Sequence, residues 1–294
     1  MLFTAEEYVA IASTYFHKGD FTQANIAVGQ SFITRQDIAE AWLIRAKIAQ
    51  ENRIFDQAYQ AYEKSIALDD ANADTYYSFA QLLKSFGHYL EAVNAVEKAI
   101  SLTDGYADDY YKFLAYLYFQ CGDFENCIRI CEAIRSIMFD DMTAYVHLYS
   151  SLLRLGRYEE ATDVCEKFTH AVMYSAEVQN NYGYCLLLQG EYRRAKRIFE
   201  LALSYDSENS SVHNNYGYTL FKTDYIEEGL ESINYAIECD ITNSLAYKNR
   251  AEILLHKDMR SQAKLDLLRA RELNYAGFYD SRVDDLLAYE FGIN

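Results

Sequence analysis

Apolar residues recur along this chain in paired stripes that are separated by a short polar break. One representative stretch contains, in chain order, Tyr76, Phe79, Ala80, Leu83, Gly87, Ala92, Val96 and Ala99. The residues before the glycine share one helical face and those after it share another, because positions three and four apart are neighbours on an α-helix. The pattern predicts a helix, a turn at the glycine and a second helix.

The period of this pattern is set by an internal repeat. The segment Asn-Asn-Tyr-Gly-Tyr occurs at 180–184 and again at 214–218, which gives an interval of 34 residues. Steps of this length, with one extra residue before the fourth, place the turns at Gly19, Arg53, Gly87, Gly122, Gly156, Gly190, Asp224 and Asp258. Helical hairpins at such a fixed period are typical of a solenoid, in which each repeat buries its apolar face against its neighbours. The sequence therefore predicts an all-α fold of eight helix-turn-helix repeats.

The repeats are expected to form one continuous domain, residues 5–277, because no linker or low-complexity segment interrupts them. Their predicted bounds are 5–38, 39–72, 73–107, 108–141, 142–175, 176–209, 210–243 and 244–277. Thr4 followed by Glu7 predicts a capping box where the first helix begins.

The last segment, 278–294, does not begin a ninth repeat. Its apolar residues share one helical face, namely Val283, Leu286, Leu287 and Phe291. Open solenoids need a terminal element with a polar outer face, so we predict a C-terminal capping helix here. A disordered acidic tail is the alternative.

The two helices of a repeat can cross closely only where side chains are small. The eighth position is Ala or Gly in seven repeats but Tyr149 in the fifth, and the twenty-seventh position is bulky at Ile134 and Phe168. This bulk predicts a wider spacing between the helices of repeat 5 and altered angles between repeats 4, 5 and 6.

The composition restricts the classes of partner that the protein is expected to bind. The formal net charge of −17 argues against nucleic acid or an anionic membrane, since phosphate binding needs a basic surface. A basic or neutral peptide is easier to accommodate. No stretch reaches the length of an apolar membrane span, so no membrane insertion is expected. The first residues lack the features of a signal peptide, so the expected location is the cytoplasm.

The order of residue types within a repeat points to a family. An aromatic residue at position four, a small one at eight, Gly at fifteen, an aromatic at seventeen and Ala at twenty resemble the tetratricopeptide repeat, most closely in 73–107 and 176–209. The proline that this family often has near the repeat end is absent from all eight copies. The resemblance implies a right-handed α-α superhelix in which the first helix of each repeat lines a concave groove.

The resemblance also implies which side chains face that groove. In repeats 6 to 8 the groove positions carry amide, aromatic and basic residues, which we predict to bind a peptide: Asn180, Asn181, Tyr184, Asn214, Asn215, Tyr218, Phe221, Lys222, Lys248 and Asn249. Asn181, Asn215 and Asn249 would form a ladder whose amides pair with successive peptide units. The alternative is that these amides only bond neighbouring helices.

The predicted function is a non-enzymatic protein–protein interaction scaffold, a peptide-binding adaptor or chaperone that uses the groove of repeats 6 to 8. A structural subunit of a larger assembly, such as a pilus or secretion apparatus, is the alternative, docking through its ends or convex face. We expect no catalytic, cofactor or metal site, because the sequence lacks the catalytic motifs. Cys127 and Cys131, four apart, replace small or apolar residues of other repeats and are interpreted as core residues. Neither the identity of the partner nor the oligomeric state follows from the sequence.

Overall fold

The structure, a computed structural model, describes residues 3–172, 175–273 and 282–293, which contain helices and turns and no β-strand. The helices are α1 (Ala5–His17), α2 (Phe21–Thr34), α3 (Ala39–Glu51), α4 (Phe55–Leu68), α5 (Ala73–Ser85), α6 (Tyr89–Ser101), α7 (Asp108–Cys121), α8 (Phe124–Ile137), α9 (Met142–Arg154), α10 (Tyr158–Ala171), α11 (Ala176–Leu188), α12 (Tyr192–Tyr205), α13 (Ser210–Lys222), α14 (Ile226–Cys239), α15 (Ser244–His256), α16 (Arg260–Glu272) and α17 (Arg282–Phe291). The predicted all-α fold is confirmed. The first helix of each consecutive pair is called the A helix below, and the second the B helix.

The first helix begins with the predicted capping box. The Glu7 amide donates to Thr4 Oγ1 at 3.2 Å, and the Thr4 amide donates to Glu7 Oε2 at 2.7 Å. These bonds satisfy two amides that have no partner inside the helix.

The turn inside each pair needs one residue with a left-handed backbone. All eight predicted turn positions have positive φ, from +58° at Arg53 and Asp258 to +77° at Gly87. Glycine adopts this conformation without steric cost, whereas a side chain pays for the contact of its Cβ with the backbone. The three repeats without glycine therefore carry local strain at this turn.

Replacing Asp224, whose φ is +66°, by glycine should relieve that strain. We expect Asp224→Gly to raise the free energy of unfolding by about 1 kcal/mol, measured by urea denaturation. Asp70→Gly is the matched control, since this exposed turn residue has no positive φ. The control should lose stability, because glycine makes the unfolded chain more flexible. Equal effects of both changes would contradict the statement that Asp224 is strained.

Small residues mark the helix crossings, as the sequence predicts. A Cβ added to Gly217 would lie 2.7 Å from the carbonyl oxygen of Gly229, and a Cβ added to Gly229 would lie 2.7 Å from that of Gly217. In repeat 6 a Cβ on Gly183 would meet the Phe199 ring at 2.6 Å. Real side chains do not approach this closely, so the helices can lie this near to each other only because these residues have no side chain.

Repeat 5 has a bulky residue, Tyr149, at the same position. Tyr149 is buried there, and the neighbouring Tyr145 stacks on Phe168 with ring centroids 4.0 Å apart. The wider spacing between the two helices of repeat 5 and the altered angles between repeats 4, 5 and 6 stay predictions.

The chain forms two compact units, Met1–Ile134 and Arg135–Asn294. In the second unit α17 packs on α16, with Val283 and Leu287 buried against Leu267 and Ala270. The predicted apolar face of the last segment is therefore used for packing in 282–293. The start of that segment, 278–281, lies outside the described residues.

Candidate functional site

The asparagines of repeats 6 to 8 form a chain of side-chain hydrogen bonds across three A helices. Asn249 Nδ2 donates to Asn214 Oδ1 at 2.9 Å, Asn214 Nδ2 donates to Asn215 Oδ1 at 3.0 Å, and Asn215 Nδ2 donates to Asn180 Oδ1 at 2.9 Å. Position six of one repeat thus pairs with position five of the repeat before it. The bonds join α11, α13 and α15 into one polar seam.

This register differs from the ladder expected from the sequence. Asn215 reaches Asn180, and Asn249 reaches Asn214, so neither bond joins two residues of position six. The reason is that successive A helices are offset, so that residues of neighbouring positions, and not of the same position, face each other.

The asparagines of these repeats differ in burial, and so in how far a ligand can reach them. Asn214, Asn215 and Asn249 are 1%, 5% and 4% exposed, whereas Asn180 and Asn181 are half-buried. A buried amide needs a partner, and these three find it in one another. Their contacts match the alternative in which the amides bond neighbouring helices.

Lys248 is also an internal residue. Its Nζ lies 2.6 Å from Glu252 Oε1 and donates to Asn249 Oδ1 at 3.3 Å, and only 5% of its side chain is exposed. The Tyr218 hydroxyl donates to Glu252 Oε2 at 2.8 Å. The buried cation is thus paired with a carboxylate, as burial of a charge requires.

The remaining predicted residues form a partly exposed surface, called here the A-helix face of repeats 6 to 8. Tyr184, Tyr218 and Phe221 are half-buried, and Lys222 is exposed. Lys222 Nζ lies 5.0 Å from the Tyr218 ring centroid and 5.3 Å from that of Phe221. Such cation–π contacts keep the ammonium group close to the rings.

A cleft of about 420 Å³ opens on this face, at the end where α17 covers the last pair. Its lining combines apolar walls with a few charged groups: Phe221, Lys222, Glu252, Leu255, His256 and Leu286. Phe221 and His256 are in ring contact at 5.5 Å. A cleft with apolar walls and few polar groups suits one apolar side chain of a ligand beside a hydrogen-bonding group.

Sequence reasoning missed an aromatic cluster on the A helices of the first unit. Tyr77 stacks on Tyr110 at 4.4 Å and meets Phe113 edge-on at 5.6 Å, and Lys84 Nζ lies 5.8 Å from the Phe113 ring. These rings are half-buried. The signal was present, since Tyr77 and Phe113 occupy positions five and six, where repeats 6 and 7 carry asparagine.

The described residues show no cluster of His, Cys, Asp and Glu that could hold a metal ion. Cys127 and Cys131 are buried, with their sulfur atoms 4.0 Å apart, as expected for core residues. Burial lowers the pKa of His147, which favours its neutral form. Within the described ranges, no helix is both long and apolar enough to cross a bilayer.

Paired helices at a constant period, with partly exposed aromatic and polar side chains on the A helices, define a helical-repeat fold. The model of the tetratricopeptide repeat family matches residues 73–105 and 176–209. These two segments are similar to the family, and the consecutive helix pairs of the chain have the fold of solved tetratricopeptide-repeat structures. No curated protein sequence gives a match.

Solved structures share the fold at low sequence identity. A tetratricopeptide repeat protein from Parabacteroides merdae ATCC 43184 is 15% identical, with a TM-score of 0.68 over 85% of this chain and 97% of that chain. The C-terminal part of a repeat protein from Cytophaga hutchinsonii is 14% identical, with a TM-score of 0.59 over 83% and 98%. The APC/C hetero-tetramer Cut9–Hcn1 contains a chain that is 14% identical, with a TM-score of 0.58 over 95% and 54%. These likenesses concern the fold alone.

Proposed function

We propose that the protein is a peptide-binding adaptor or chaperone whose ligand lies on the A-helix face of repeats 6 to 8. The observation that carries the proposal is the cleft on this face, because Phe221 and Lys222 line it and both were predicted as contacts from the sequence. An apolar side chain of the ligand would enter between Phe221, Leu255 and Leu286. Burial of such an anchor in a preformed cleft is the usual source of peptide affinity.

The polar groups of the face would orient the rest of the peptide. Lys222 can donate to a carbonyl or carboxylate beside the anchor, and the half-buried Asn180 and Asn181 offer amides further along. Asn214, Asn215, Lys248 and Asn249 would act indirectly, by holding the A helices in register. The net charge of −17 favours a ligand with basic flanks, and we place the protein in the cytoplasm.

Affinity capture from native cells, with the full chain as bait, tests this proposal. Phe221→Ala/Lys222→Glu should lower recovery of the partner about tenfold or more, because it removes both the apolar wall and the donor. Ile26→Ala/Lys64→Glu is the matched control, since both residues are exposed on B helices of the first unit. Lys222→Glu alone is a second test variant, because Phe221 also packs on the core near Ile233 and its removal could lower binding by disturbing the fold.

The outcomes separate the two functions. Loss of the partner in the A-helix variants alone supports the adaptor. Equal recovery by all variants would overturn it, and loss in the B-helix control alone would favour the structural subunit of a larger assembly. Exposed aromatic residues on B helices, such as Tyr59 at 36% and Tyr235 at 39%, are the observation that keeps this second function in view.

A further inference from the structure

A second and larger cleft, called here the outer cleft, lies between the B helices α12 and α14. Its volume is about 690 Å³, and α13 forms its floor. It is lined by Lys196, Ser207, His213, Tyr216, Leu220, Tyr225, Glu228, Glu231, Ser232 and Tyr235. Apart from Leu220 on the floor, these residues are at least partly exposed, and none belongs to the A-helix face described above.

The interior of the outer cleft is aromatic. His213 meets Tyr235 edge-on at 4.6 Å, and Tyr225 and Tyr235 are 49% and 39% exposed. Leu220 is buried below them at 4% exposure. Large aromatic side chains exposed together in a concave site are typical of interaction surfaces.

The local hydrogen bonds give the cleft a fixed shape. His213 Nε2 donates to the Ser207 carbonyl at 2.9 Å, and the Ser232 hydroxyl donates to the His213 carbonyl at 2.9 Å. The Tyr216 hydroxyl donates to Glu200 Oε1 at 3.2 Å. Burial and this carboxylate raise the pKa of Tyr216 to about 12, so the phenol keeps its proton.

Two of the three charged residues that line the outer cleft are acidic. Glu228 and Glu231 project from α14 and are exposed, and Glu200 lies on α12. The one cation among the lining residues, Lys196, places Nζ 4.7 Å from the Tyr225 ring centroid. A cation already rests on one of these rings, which demonstrates that the geometry accommodates positive charge on an aromatic face.

We infer that the outer cleft binds a basic segment of a partner protein. An aliphatic or aromatic side chain of the segment packs on Tyr216 and Leu220. Neighbouring Arg or Lys side chains lie on the rings of Tyr225 and Tyr235 and pair with Glu228 and Glu231. This site shares no lining residue with the cleft proposed for the A-helix ligand, so the chain would hold two partners at once.

A basic partner suits the cleft better than a second copy of this chain. Each copy carries a formal net charge of −17, so two copies repel each other, whereas a basic segment is attracted by the whole molecule and by the cleft. The acidic pair on α14 then fixes the segment within the cleft.

Fluorescence anisotropy with the full chain tests this inference. The probes are labelled peptides Gly-Ser-Lys-Arg-Xaa-Xaa-Arg-Lys-Ser with Leu, Phe, Trp or Arg at the anchor positions, and acidic counterparts with Glu in place of Lys and Arg. Glu228→Lys/Glu231→Lys should weaken binding of the best basic probe about tenfold. Glu63→Lys/Glu132→Lys has the same net charge and is exposed in the first unit, so it should bind nearly as well as the unaltered chain.

The results that would overturn the inference are specific. They are no binding of any basic probe, tighter binding of the acidic probes, or equal weakening by both charge-reversal variants, which would indicate attraction to net charge alone. Weakening by Glu228→Lys/Glu231→Lys alone supports the outer cleft whatever the outcome for the A-helix proposal, because the two clefts share no lining residue. Weakening by Lys222→Glu alone would assign the basic probe to the A-helix face and contradict the outer cleft.

Discussion

Gly217→Ala is expected to lower the free energy of unfolding of the second unit by about 3 kcal/mol. The added Cβ would lie 2.7 Å from the Gly229 carbonyl oxygen and 2.7 Å from a side-chain carbon of Ile233. One of these neighbours is backbone, so α13 and α14 can relieve the clash only by moving apart. Their separation would also open the packing around Ile233 and Ala236, which are fully buried.

Gly29→Ala is the matched control for this substitution. Gly29 also lies inside a helix, α2, but a Cβ there has no neighbour within 4 Å. Alanine should therefore stabilise the first unit by up to about 1 kcal/mol through its higher helix propensity. Urea denaturation followed by circular dichroism measures both. A Gly217→Ala variant as stable as the unaltered chain would mean that the two helices do not cross as closely as described.

Asn214→Ala is the second substitution with a large expected effect, a loss of about 2 to 3 kcal/mol. Asn214 donates to Asn215 and accepts from Asn249, so its removal takes the hydrogen-bond partner from two buried atoms, Asn215 Oδ1 and Asn249 Nδ2. The polar seam between α13 and α15 would be broken at its centre. An unpaired buried amide costs more than the hydrogen bond itself is worth, because its desolvation is no longer compensated.

Asn94→Ala is the control, because this asparagine is exposed on α6 and alanine is the better helix former. Thermal and urea denaturation should show a slight gain in stability for Asn94→Ala and a clear loss for Asn214→Ala. If Asn214→Ala left stability unchanged but abolished ligand binding, the buried asparagines would be ligand contacts and the seam would not have the role assigned to it.

The fold could be predicted from the sequence because its main determinants are local. A fixed period, a turn residue with positive φ and a small residue at each crossing are all visible in one repeat at a time. Arg53 and Asp224 fit the turn positions without being glycine, because the period located them independently of residue type.

The site was harder to predict, since it depends on the offset between neighbouring helices. Sequence position alone suggested pairing of Asn181 with Asn215, but the offset places Asn180 opposite Asn215. Burial of Lys248 depends on its contact with Glu252, one helical turn away, which a list of groove positions does not include. The outer cleft depends on the gap between α12 and α14, and no repeat pattern specifies that gap.

Site-specific photo-crosslinking is the most direct test of the A-helix face as the ligand site. p-Benzoylphenylalanine would replace His256, which is exposed and lines the cleft, and Glu63 as a distant control. In native cells we predict a crosslinked partner from position 256 that is absent from position 63 and is lost when Lys222→Glu is added. No crosslink at 256, or one that Lys222→Glu leaves unchanged, would contradict the proposal that this face binds the peptide.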